Sequence, residues 1–155
     1  MAKLKIFEEI MEYYKFPLRI GLLLQDGNKS LPKCSEKESI DQHLELLFTT
    51  CPGEHRYDPR YGCRIWDMDF EKVTSQKSWQ DHFTTCLTES IRAYEPRLSE
   101  VEVQVTVSDI TYTDDVADTT TIKKKADVLI KAVLNSTQEN CRFRFRLFLG
   151  PLSSE

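Results

Sequence analysis

The chain is informative first in what it is short of. No stretch approaches the ~20 consecutive apolar residues that a membrane-spanning helix needs, so none is expected. The first residues interleave Lys3, Lys5, Glu8, Glu9 and Glu12 with apolar ones, which denies a signal peptide its uninterrupted apolar segment. A cytoplasmic chain is therefore expected. The five cysteines, Cys34, Cys51, Cys63, Cys86 and Cys141, are odd in number, widely spread and never arranged as C-x-x-C. That spacing argues against a zinc ribbon and a disulfide framework and is read as reduced thiols. His43, His55 and His82 stand apart, and neither they nor the cysteines show ligand spacing, so no metal or cofactor is expected. A nucleophile elbow, a phosphate loop, a dinucleotide fingerprint and a zinc-protease motif are all missing, which counts against the commonest enzyme classes. Internal repeats and low-complexity segments are missing too. A net charge of only −4 gives no global attraction to nucleic acid or to an anionic membrane.

What remains is an ordinary globular composition. With 155 residues, 40% hydrophobic and 30% charged, the chain is the size of one domain and can bury roughly two-thirds of its unfolded surface. Leu4, Phe7, Met11 and Tyr14 recur at helical spacing, so an amphipathic helix is expected over residues 3–14, ended by Pro17. Leu18 to Leu24 is a short apolar run broken by Gly21, consistent with strand or extended linker. Ser35 and Glu38 form a capping box, and Ile40, Leu44, Leu47 and Phe48 then share one face of a second helix. Residues 49–62 contain two prolines and two glycines, which enforce turns and leave Glu54, His55, Arg56, Asp58 and Arg60 on a charged loop. Ile65 to Phe70 reads as a short turn of helix. Ser78 is the expected cap of a long helix whose stripe is Trp79, Phe83, Leu87, Ile91 and Tyr94.

That helix runs into Glu95-Pro96-Arg97. Proline lacks an N–H and pushes the preceding residue out of the helical region, so the helix must stop at about Glu95. A carboxylate at a helix C-terminus is disfavoured by ~0.3–1 kcal/mol, so helix stability does not explain Glu95. Beyond it Val101, Val103, Val105 and Val107 alternate with polar residues as in a half-buried strand. A second strand turns Ala126, Val128, Ile130, Ala132 and Leu134 inward. A third carries Cys141, Phe143, Phe145, Leu147 and Leu149 on one face and Arg142, Arg144 and Arg146 on the other. The expectation is an α+β fold, with N-terminal helices packed on one face of a C-terminal, mainly antiparallel three-stranded sheet.

Two chemical readings of these residues are open. Glu54 with Asp67 or Asp69 could serve glycoside hydrolysis across a groove ~5–9 Å wide, although loop carboxylates are usually solvated or capping. The arginine face, near Lys123, Lys124 and Lys125, could contact phosphates, yet it lacks the interleaved aromatics of a single-strand platform. A charged face is also how an edge strand avoids aggregation, and a protein partner is the better functional alternative.

Taken together, Leu46-Leu47-Phe48-Thr49-Thr50-Cys51-Pro52-Gly53-Glu54, Tyr57-Asp58-Pro59-Arg60-Tyr61-Gly62, Ile65-Trp66-Asp67 and Glu95-Pro96-Arg97-Leu98 before a Val-alternating strand resemble one family. It is the family of phage baseplate wedge proteins that includes TssE of type VI secretion, and the resemblance covers about residues 36–149. It implies a wedge domain over 35–150, whereas residues 1–34, a helix and linker by their own pattern, have no match in the family. It further implies a structural, non-enzymatic baseplate subunit of a contractile injection machine. Such a subunit links the wedge proteins TssF and TssG, with TssK close by, to the TssB/TssC sheath whose assembly it nucleates. The location would be cytoplasmic, at a baseplate against the inner membrane, with no nucleic acid bound and no membrane insertion. Carried over by position, Glu95, Pro96 and Arg97 match the contact triplet, and Gly53, Glu54, Pro59 and Gly62 match the loop before it. The resemblance gives Arg142, Arg144 and Arg146 a place on the sheet that engages sheath. Thr50-Cys51 departs from the family, which commonly has an arginine ahead of the Gly-Glu pair. An anti-adaptor that binds a response regulator shares this fold, and some members have been labelled lysozyme-like, so an anti-adaptor and a peptidoglycan glycosidase are the alternatives.

Overall fold

A computed structural model of the chain describes residues 12–24, 30–67, 76–114 and 119–149. By internal contacts the chain divides into two units, residues 1–44 and 45–155.

In the first unit β1 (Tyr13–Tyr14) pairs antiparallel with β2 (Lys33–Cys34), Tyr13 opposite Cys34 and Tyr14 opposite Lys33. The Lys15 N–H donates to the Pro32 carbonyl at 2.9 Å just beyond the pair. The helix expected over residues 3–14 is thus corrected at its end: Tyr13 and Tyr14 satisfy their backbone across a ladder. The rest of that segment lies outside the described residues, apart from Glu12, which is not helical. Ile20–Leu24 is a 3-10 turn, neither strand nor extended linker. The capping box is partly seen at α1 (Glu36–Thr49), where Ser35 Oγ accepts the Glu38 N–H at 3.2 Å. Ile40, Leu44, Leu47 and Phe48 on α1 are fully buried, as their spacing requires.

In the second unit the long helix α2 (Gln76–Tyr94) begins by Gln76, so Ser78 lies inside its first turn and is not its cap. Trp79, Phe83, Leu87 and Ile91 form its buried stripe. The short turn near Ile65 is a 3-10 turn over Arg64–Asp67, residues 68–70 being outside the described set. Three strands follow as an antiparallel meander, β3 (Leu98–Asp114), β4 (Thr119–Leu134) and β5 (Asn140–Leu149), in the spatial order β3-β4-β5. The class is α+β, with α2 on one face of the sheet. Val103 faces Ile130, which faces Phe143, and Val105 faces Val128, which faces Phe145. These residues build the inner face on which α2 packs along β3, with the Gln80 amide donating to the Val105 carbonyl. Phe48, at the end of α1, meets Phe145 edge-on at 5.3 Å between ring centroids.

The outer face is largely polar, with Phe148 exposed on it as well. Glu102, Lys131 and Arg142 lie in one cross-strand row and Thr106, Asp127 and Arg146 in another. Among the described residues β5 pairs with β4 alone and is an edge strand.

The alternation of β3 holds only past an irregularity that its valines conceal. Leu98 and Val103 are both buried, although their odd separation would put them on opposite faces of a regular strand. The register slips between Ser99 and Glu102, where β3 carries one residue more than β4, and Glu100 takes φ of 50°. This bulge is what lets Leu98 reach the core directly after the proline corner. A side chain at positive φ is strained, and a β-branched one more so. Glu100→Gly is therefore expected to raise the unfolding free energy measured in urea by roughly 0.5 kcal/mol, and Glu100→Val to lower it by about 1 kcal/mol.

Candidate functional site

The acid that helix stability could not explain is explained by its arginine. The Glu95 N–H makes the last helical bond of α2, to Ile91 O at 2.8 Å, and Pro96 prevents another turn. Arg97 then folds back on the buried carboxylate, which is 1% exposed. Arg97 Nε donates to Glu95 Oε1 at 2.7 Å and Nη2 to Oε2 at 2.6 Å, a two-pronged fork, while the Arg97 N–H reaches Oε1 at 3.3 Å. The guanidinium offsets both the buried charge and the negative end of the helix dipole. Its own side chain is 24% exposed, so the pair closes the corner from the outside.

The corner is bolted to the turn between β4 and β5. The Asn135 N–H donates to the Arg97 carbonyl at 2.9 Å and its side-chain amide to the Pro96 carbonyl at 2.7 Å. Asn135 escaped the sequence reading because only a contact between segments far apart in the chain gives it a role.

Loop 50–63 is held by its own backbone. The Cys63 N–H donates to Thr50 O at 3.0 Å and the Gly53 N–H to Pro59 O at 2.8 Å, closing the loop at two levels. Glu54 accepts the Cys51 N–H at 2.8 Å, and Asp58 accepts the Arg60 N–H at 3.0 Å. Gly53 and Gly62 sit at φ of 96° and 123°. A Cβ on Gly62 would lie 2.5 Å from the Thr50 carbonyl oxygen, so this position needs glycine twice over.

The loop rests on the end of α2. Ser90 Oγ donates to Gly62 O at 3.1 Å, and the Tyr61 ring stands 5.1 Å from both Tyr94 and His55. Partial burial raises the Tyr61 phenol first, and the Glu95 charge raises it further. Burial and the Asp58 carboxylate likewise raise Tyr94. The loop and the proline corner therefore form one site. A groove of about 420 Å³ opens beside it, with Asp58, Arg60, Arg64 and Glu89 in its lining. Beneath it Cys63 is wholly buried, and desolvation pushes its thiol up to about 11, making it a poor nucleophile.

The sequence-derived candidates thus fall into two sets. Glu95, Pro96, Arg97, Gly53, Glu54, Pro59 and Gly62 share the corner and its loop. Arg142, Arg144 and Arg146 stand exposed on the outer face of the sheet. Arg146 pairs with Asp127 at 3.0 Å, and Lys125 and then Arg146 hold that carboxyl below its usual range. Arg142 and Arg144 meet no carboxylate among the described residues. Of the carboxylates considered for hydrolysis, Glu54 serves its own loop, the side chain of Asp67 is not described, and Asp69 lies outside the described residues. No group of three or more His, Cys, Asp or Glu side chains among the described residues could hold a metal ion. No described helix is long and apolar enough to cross a membrane.

The family model of baseplate wedge protein gp25 matches residues 34–139, which include the loop, the corner and most of the sheet. Baseplate wedge protein gp25 of Enterobacteria phage T4 is 31% identical over 80 residues, covering 52% of this chain and 59% of that protein. The match therefore spans less than two-thirds of that relative's length. In structure, a Geobacter sulfurreducens protein described as a candidate tail lysozyme superposes with a TM-score of 0.56 at 20% identity. That likeness covers 80% of this chain and 100% of the other and concerns the fold. A chain of the baseplate complex of the type VI secretion system gives a TM-score of 0.48 at 15% identity, over 72% of this chain and 92% of that one.

Removing the arginine strands a buried carboxylate. Arg97→Ala is expected to cost about 3 kcal/mol in urea unfolding, and Glu95→Gln combined with Arg97→Met less than the sum of its parts. Cys63 supplies an alkaline signature: the unfolded thiol ionises near 9.0 and the folded one near 11. Between those values the unfolded state alone releases its proton, so stability is full below the window and falls across it, by up to roughly 2 kcal/mol. Unfolding midpoints measured through this range should show the decline, and Cys63→Ala should flatten it.

Proposed function

The chain belongs to the family of baseplate wedge protein gp25, and from that premise we propose that it is a structural subunit of the baseplate of a contractile injection machine. In this reading residues 35–150 form the wedge domain, and residues 1–34 a separate segment ahead of it. The subunit performs no chemistry. It joins wedge proteins of the TssF and TssG type, with a TssK-type protein close by, and presents its sheet to TssB/TssC-type sheath, where sheath growth begins. The machine stands in the cytoplasm, at a baseplate held against the inner membrane.

The observation that carries the reading is the match of the family model over residues 34–139, and the geometry agrees with it. Several of the site's charged groups act on the shape of the backbone. Glu95 is closed by Arg97, and Glu54 and Asp58 hold their own loop. What stays outward is surface. β5 offers an open edge to which an extended segment of a partner can add as a further strand, with alternate side chains giving specificity. Beside that edge Arg142 and Arg144 are exposed and free to meet the partner's carboxylates.

Reversal of Arg142, Arg144 and Arg146 to glutamate is therefore expected to block sheath growth in cells, scored by the length and number of fluorescent sheaths, while wedge assembly proceeds. Sheaths of normal length in that strain would contradict the role given to β5. Purified protein is expected to leave peptidoglycan intact, and clearing that is lost in Glu54→Gln would favour a glycosidase instead.

A further inference from the structure

The loop whose backbone is so thoroughly held carries, at its tip, a tyrosine that stands almost wholly in solvent, touched by the neighbouring His55 ring and Arg56. Tyr57 is 85% exposed, an unusual position for a residue with so large an apolar surface. Its neighbour Arg56 lies over the ring, with the guanidinium carbon 5.7 Å from the centroid. Arg60 is exposed on the same loop. The loop's two acids are occupied, because Glu54 accepts the Cys51 N–H and Asp58 the Arg60 N–H. The loop is formally neutral, two arginines against two acids, but both acids are turned to backbone donors while Arg56 stands with its guanidinium against the projecting ring.

Its backbone is already ordered. Gly53 to Pro59, Asp58 to His55 and Tyr61 to Asp58 are hydrogen-bonded across the base and flank of the tip. The Tyr61 ring anchors the loop on Tyr94, beside the Glu95–Arg97 fork. Seating such a tip costs little conformational entropy, and tyrosine and arginine are the residue types that dominate binding energy when they enter a partner's pocket.

We infer that Tyr57 and Arg56 form the contact by which this subunit seats in a wedge protein, and that the partner offers an apolar socket rimmed by carboxylates. The inference rests on the baseplate reading above and assigns its wedge contact to residues outside the family triplet. Glu95 and Arg97 then act as positioning residues: they brace the platform under Tyr61 and do not themselves touch the partner. The exposed arginines of the sheet belong to a different contact.

The test uses the full-length protein and the purified TssF–TssG-type wedge complex of the same machine, with affinity read by biolayer interferometry and folding by thermal unfolding. Tyr57→Ala and Arg56→Glu are each expected to weaken wedge binding at least tenfold with an unchanged melting temperature. Tyr57→Phe, which keeps the ring, should bind within about twofold of wild type, as should Arg142→Glu combined with Arg144→Glu. Raised salt should weaken the wild-type protein more than Arg56→Ala. If Tyr57→Ala is folded and binds like wild type, or if the sheet variant is the one that loses affinity, the socket is wrong while the baseplate reading stands. Should wild-type protein ignore the wedge complex altogether, the baseplate reading fails and this inference falls with it.

Discussion

A carboxylate buried at the negative end of a helix has to be neutralised, and the way this chain does so sets the rest of its architecture. Glu95 sits where the helix dipole and desolvation both oppose its charge. Two residues later Arg97 returns a fork of hydrogen bonds at 2.6 and 2.7 Å. The proline between them makes this geometry accessible, because it ends the helix and turns the chain back on itself within a single residue. The pair is short-range in sequence but not in consequence. Its backbone carbonyls receive Asn135 from the far hairpin, and its carboxylate lies beside Tyr61 of the preceding loop. Three segments that are distant in the chain are thereby referred to one fixed point.

The extra residue at Glu100 completes the corner. Without it, Leu98 and the valines of β3 would lie on opposite faces, and the strand could leave the corner or cover the core but not both. Strain at one exposed position is small beside the cost of exposing a leucine. The same logic governs Gly62, where only the absence of a side chain lets the loop close against Thr50. Charged and special residues at this corner and its loop thus act mainly on backbone shape.

Two kinds of surface result, and they differ physically. The outer face of β5 is an extended row of guanidiniums beside an open strand edge, suited to a contact that repeats along a strand. The tip of loop 50–63 is compact and preorganised, a single aromatic ring under a guanidinium, suited to insertion at one point. On the proposed reading the two faces serve two different partners, and their different chemistry keeps either partner from competing for the other's place.

Much of this was readable from the chain alone. The 3.6-residue spacing of Ile40, Leu44, Leu47 and Phe48 and of Trp79, Phe83, Leu87 and Ile91 determined two helices and their buried faces, because periodicity is a local property that burial merely selects. Strict alternation did the same for β4 and β5, and Pro96 determined where the long helix ends. Where local signals competed, the reading failed: Tyr13 and Tyr14 continue a helical pattern, yet a ladder with Lys33 and Cys34 claims their backbone. Ser78 looks like a cap, yet α2 has already begun by Gln76. Glu95 announced itself as a charge in the wrong place, but its partner, its burial and its link to Asn135 came only with the fold. So did the bulge at Glu100 and the exposure of Tyr57. The reason is common to all of them: a residue's propensity is written in its neighbours along the chain. Whether a charge is satisfied, a strand slips or a ring is left in water depends on which distant segments come to lie against it.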